Sequence, residues 1–89
     1  MVRTALSIAL AAATLAWSPA PVHAASCYDL WYARNLIFAQ NGYCFRSRLG
    51  RRTFGNGACY TDNPRLSRAD QRRVARLKRQ ERRQRCRMN

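Results

Sequence analysis

The chain has 89 residues, and its 17 basic and 4 acidic side chains give a formal charge of +13. That length supports one small domain, and the charge makes most of its surface cationic. One histidine and four carboxyl side chains leave little from which to build an acid–base or metal site.

Met1–Ala24 reads as a secretory signal peptide. Arg3 supplies the positive start, Ala5–Trp17 is apolar apart from Ser7 and Thr14, and Pro19 and Pro21 break the run. Val22-His23-Ala24 then places small residues where a signal peptidase needs them, with cleavage after Ala25 as a close variant. The apolar run is shorter than the roughly 20 residues a membrane span needs, so the processed protein is not expected to be an integral membrane protein. Processing would leave 65 residues, 25–89, as a single domain. Arg3 and His23 leave with the signal, which lowers the formal charge to +12 and removes the only histidine.

The densest apolar stretch follows. Leu30, Trp31, Ala33, Ile37 and Phe38 fall at helical spacings over Tyr28–Asn41, and Gly42 follows as a stop that can turn left-handed. The reading is one amphipathic helix, with Tyr43, Cys44 and Phe45 folding back over its end. Adjacent aromatic residues cannot all face one core, and Tyr32 is expected to lie outside.

The same residues carry a family likeness. The run Leu30–Asn35, LWYARN, then Ile37–Ala39, then Asn41-Gly42-Tyr43 with Phe45 close behind, resembles the YARHG domain family of small extracytoplasmic modules. The eponymous letters align with Phe38–Gly42, where Ala39 and Gly42 match, and Leu66-Ser67 before a charged helix resembles the family's second half. The resemblance covers about residues 27–86. It implies a fold and a location outside the cytoplasm, here in a disulfide-containing variant, and it implies no established activity.

Cys27, Cys44, Cys59 and Cys86 form an even set in a small exported chain, the pattern of a disulfide framework. A four-cysteine zinc site usually carries a close Cys-x(2–4)-Cys pair, and this chain has none. A helix over Tyr28–Asn41 would be about 21 Å long, which holds Cys27 and Cys44 too far apart to bond. If a C-terminal helix packs antiparallel to the first, Cys86 arrives beside Cys27 and leaves Cys44 to Cys59. The expected bridges are Cys27–Cys86 and Cys44–Cys59.

Arg46–Arg65 reads as one long loop, anchored by Leu49 and Phe54 and turned at Gly55-Asn56-Gly57. With Arg51 and Arg52 nearby, that turn could be an anion-cradling nest, but it lacks the Lys-Ser/Thr continuation of a phosphate loop. A turn that delivers Cys59 to Cys44 is the favoured reading. Pro64 disfavours helix at Asn63 and delays the next helix.

That helix is expected over Arg68–Arg85, opened by a capping-box pattern at Ser67 and Asp70. Arg68, Arg72, Arg76, Arg79, Arg83 and Arg87 fall within a band about 100° wide, with Val74, Leu77 and Met88 opposite. Glu81 projects on the apolar side. In the register set by Cys27–Cys86 its basic neighbour on the first helix is Arg34, so an Arg34–Glu81 ion pair is expected; a local Glu81–Arg85 pair is the alternative.

The expected architecture is therefore small and mainly α, with two antiparallel helices joined by a long loop and stapled by two disulfides. Leu30, Trp31, Ile37, Phe38, Val74 and Leu77 would form its core. Without histidine or free thiols, and with Asp29, Asp70 and Glu81 given structural roles, no catalysis and no cofactor or metal are expected. The favoured function is an exported, periplasmic or extracellular module. Its arginine face would bind an anionic envelope polymer or lipid headgroups. Export disfavours nucleic acid as the partner. The alternatives are a structural accessory protein with no dedicated ligand and a secreted cationic, membrane-active effector.

Overall fold

The computed structural model describes residues 25–88; the expected signal peptide lies outside them. Three helices, α1 (Cys27–Gln40), α2 (Arg48–Phe54) and α3 (Arg68–Arg83), make up the domain. Among the described residues there is no strand, and Tyr43 and Thr61 form one isolated parallel bridge.

Helix α1 starts at a full capping box. Ser26 Oγ accepts from the Asp29 N–H at 3.1 Å, and the Asp29 carboxylate accepts from the Ser26 N–H at 3.3 Å. These bonds occupy backbone donors that the first turn leaves open. The helix ends in a Schellman turn: the Gly42 N–H donates to Ala39 O and the Tyr43 N–H to Phe38 O, both at 3.1 Å, with Gly42 at φ 82°. The hydrophobic contact that accompanies this motif is Phe38 against Tyr43, with ring centroids 5.7 Å apart. Gly42 has a second reason to be glycine, because a Cβ there would run into the Tyr60 ring.

Leu30, Trp31, Asn35 and Ile37 are buried on α1. They span too wide an arc for one amphipathic stripe, because α1 lies in the middle. On one side it meets α3. On the other, Trp31 and Tyr32 pack on Phe54 of α2, which stacks on Phe45 at 5.0 Å; Phe45 meets Tyr43 edge-on at 4.9 Å. Trp31 is the most buried large side chain, at 1% exposure. Tyr32 and Tyr28 are both partly exposed at its flank.

The segment read as loop contains α2, which corrects the two-helix architecture. Ser47 caps it by accepting from the Gly50 N–H, and Gly55 at φ 72° ends it. Seven residues with only Leu49 and Phe54 as large apolar anchors are too few to show a helical period. A Cβ on Gly50 would strike the Phe45 ring, so this glycine lets the ring lie directly on the helix. Asn56, read as a turn residue, clamps Phe45 instead: its Oδ1 accepts from the Phe45 N–H and its Nδ2 donates to the Phe45 carbonyl, both at 2.9 Å.

Helix α3 is shorter than the pattern suggested. It stops at Arg83 in a second Schellman turn, where the Arg85 N–H donates to Arg82 O and the Cys86 N–H to Glu81 O. Arg85 occupies the left-handed position at φ 54°, where an L-residue other than glycine costs about 1–2 kcal/mol. The turn directs Cys86 to Cys27. Opposite outcomes are expected at the two turns: Gly42→Ala lowers stability by at least about 1 kcal/mol, whereas Arg85→Gly raises it by about 0.5–1 kcal/mol. Chemical denaturation of the oxidised protein reads both.

Candidate functional site

Cys27 at the start of α1 is bonded to Cys86 beyond the end of α3, with Cα atoms 5.4 Å apart. Cys44 is bonded to Cys59 with a Cα separation of 5.0 Å. The first bridge makes α3 run antiparallel to α1. The second closes the end of α1 against the 59–61 segment, where Cys44 N–H donates to Thr61 O and Tyr60 N–H to Gly42 O, both at 2.9 Å. Two disulfides fit an oxidising compartment.

Between the middle of α1 and the last turn of α3, Arg34 Nε donates to both Glu81 oxygens, at 2.9 and 3.1 Å. Both side chains are mostly enclosed, at 17% and 15% exposure. Glu81 makes this contact rather than a local one with Arg85, because the core-facing side of α3 carries it to α1. Val74 sits about two helical turns earlier on the same side and is the buried residue of α3. Leu77 beside it, like Phe38 across the seam, is only partly buried.

The opposite side of α3 is the cationic surface. Arg68, Arg72, Arg76, Arg79 and Arg83 are exposed and fall within about 80° of the helix circumference. Arg87 is exposed too but lies beyond the end of the helix, as does Met88, so neither continues a face of α3. Arg73, Lys78 and Arg82 are also exposed and widen the positive surface on both flanks. Two ion pairs are formed among the described residues, Arg34–Glu81 and an exposed Arg46–Asp62 contact at 3.5 Å. Neither involves an arginine of α3. Asp70, the other acid of that helix, sits at its start, where the Asp70 N–H is capped by Ser67 Oγ.

Asp62, to which the sequence assigned no partner, thus meets Arg46. Among the described residues no group of three or more His, Cys, Asp or Glu side chains could hold a metal ion, and no helix is long and apolar enough to cross a membrane. Tyr60 escaped the sequence reading: it is 78% exposed, with its ring lying over Gly42. A lone tyrosine between a cysteine and a polar turn carries no period that would have revealed it.

The described residues form a small helical domain with two disulfides, an internal ion pair and an exposed guanidinium surface. The YARHG domain model matches residues 5–82, and the chain belongs to that family. Cys86 lies beyond the matched residues, so the bridge to Cys27 is formed with a cysteine outside them. No curated protein and no solved structure matches the chain.

The enclosed ion pair supports a double-mutant test. Arg34→Ala or Glu81→Gln should each destabilise by about 2 kcal/mol, because each strands a partly enclosed polar partner. The double variant should lose clearly less than the sum of the two, and a sum equal to the parts would mean the contact is not energetically coupled.

Proposed function

We propose that this protein is an exported, non-catalytic interaction module of the cell envelope, and that the outer face of α3 binds an anionic polymer or a layer of anionic lipid headgroups. One observation carries the reading. Five arginines of α3 share an exposed face and pair with no acid among the described residues. Arg68–Arg72, Arg72–Arg76 and Arg79–Arg83 are like-charged neighbours four positions apart, each costing a few tenths of a kcal/mol in the free protein. An anionic surface relieves that repulsion as it binds.

The formal charge of +12 expected after loss of Arg3 with the signal peptide also exceeds the magnitude of about 2–8 that solubility alone asks of a small domain. The apolar side of α3 is turned inward on α1, where Val74 is buried and Glu81 is paired, so it is not available for insertion into a bilayer. Surface attachment fits better than membrane disruption. The family match and the two disulfides support a location outside the cytoplasm.

The test is binding of the oxidised protein to anionic vesicles, acidic envelope polymers and a DNA duplex as salt is raised. Saturable binding to one of the envelope surfaces should persist at about 150 mM salt, where the Debye length is roughly 8 Å. At about 1 kcal/mol for each cation near an anionic surface, Arg72→Gln/Arg76→Gln/Arg79→Gln should weaken it roughly 100-fold. Equal, weak and salt-erased binding to every polyanion would instead leave the face without a dedicated partner, and vesicle leakage would favour a membrane-active effector.

A further inference from the structure

A cleft of about 400 Å³ lies between α1 and the segment that leads into α3, away from the outer arginine face. Its size falls within the range of about 300–1,000 Å³ common for small-molecule sites. Arg34 and Asn35 line it together with Phe38, Tyr43 and Leu66 and with Asp62, whose carboxylate is paired with Arg46 at 3.5 Å.

Two polar side chains there have capacity that the fold leaves open. Glu81 engages Arg34 through Nε, and the four Nη hydrogens have no partner among the described residues. Asn35 donates Nδ2 to the Trp31 carbonyl at 2.9 Å, and its Oδ1 accepts no bond among them. Among the described residues no fully enclosed side-chain polar atom is left unsatisfied, so Oδ1 keeps some exposure, and Asn35 is a lining residue of the cleft.

Glu81 and the helix seam hold the guanidinium in place without occupying the end that a planar carboxylate would meet with two parallel hydrogen bonds. The cleft is much larger than a carboxylate alone, and Phe38, Tyr43, Pro64 and Leu66 give it ring and aliphatic surface beside the polar Asp62, Asn63 and Gln71. We propose that this cleft binds a compact organic carboxylate. Its two oxygens accept from the Arg34 Nη groups, its body packs on Phe38, Tyr43 and Leu66, and an N–H or O–H of the ligand donates to Asn35 Oδ1. The Arg34–Glu81 and Arg46–Asp62 pairs balance their charges at the cleft, so selection comes from directed donors and shape rather than from the cationic field. The proposal stands independently of the outer face of α3.

A free peptide end and a sugar acid both offer this chemistry. Isotope-labelled oxidised protein is titrated in about 150 mM salt with N-acetyl-L-phenylalaninate, with glucuronate and with the neutral N-acetyl-L-phenylalaninamide. Saturable shifts at the Asn35 amide, Phe38, Tyr43 and Leu66 are expected with at least one carboxylate, and at least tenfold weaker binding with the neutral amide. Response to the first acid alone assigns a peptide end, and response to glucuronate alone a sugar acid. Arg34→Lys, which keeps a cation beside Glu81 but removes the fork, should cost at least tenfold, as should Asn63→Trp at the mouth of the cleft. Arg72→Gln/Arg76→Gln/Arg83→Gln should leave the binding unchanged while it disables the outer face. Shifts confined to the outer face of α3, equal response to acid and amide, or no saturation by on the order of 10 mM would overturn the proposal.

Discussion

The seam between α1 and α3 decides whether this domain holds together. Val74 is the buried residue that α3 contributes, and full burial of one valine is worth only about 1.5–3 kcal/mol. A helix of 16 residues dominated by arginine is marginal by itself, and its like-charge neighbours make it more so. The bridge from Cys27 to Cys86 closes 59 positions of chain, for which loop-closure entropy suggests about 4 kcal/mol. Arg34–Glu81 adds a directed contact between the last turn of α3 and the middle of α1. Covalent and ionic ties thus do what a broader apolar stripe would do in a larger protein, and α3 is left free to devote the rest of its circumference to charge.

The other half of the molecule is held differently. Trp31, Phe54, Phe45 and Tyr43 form a continuous series of ring contacts from the start of α1 to the chain that leaves its end. Phe45 is the buried centre of that series. Its backbone is gripped by Asn56, its ring is seated by the bare backbone of Gly50, and the next residue back, Cys44, is bonded to Cys59. The two halves share α1, whose burial on both sides follows from that position. Asn35 is tolerated in this centre because its amide donates to the Trp31 carbonyl and its side chain borders the cleft rather than being sealed in the core.

Much of this is legible in the amino-acid sequence, and the limits have physical reasons. The two long helices show because one carries a dense apolar run and the other a capped arginine stripe. Arg34 and Glu81 could be matched because antiparallel packing turns a cysteine pair into a register. Helix α2 was hidden by its length, since Leu49 and Phe54 alone define no period. Asn56 looked like turn chemistry because its role depends on a contact eleven positions away in sequence. The early stop of α3 was invisible for a related reason. No glycine marks it, and Arg85 takes the left-handed position in the turn that brings Cys86 to its partner. The cleft combines residues from α1 with the 62–71 segment, a meeting that the helix pattern does not encode.

The central claim is that cross-links rather than apolar burial keep α3, and with it the arginine surface, against α1. Amide hydrogen exchange on the Cys27→Ser/Cys86→Ser protein tests it most directly, with the Cys44–Cys59 bridge intact. The account predicts that α3 amides lose most of their protection while α1 and the Phe45–Asn56 clamp keep theirs. Unchanged protection along α3 would contradict it, and would show that the seam around Val74 holds the helix without its covalent tie.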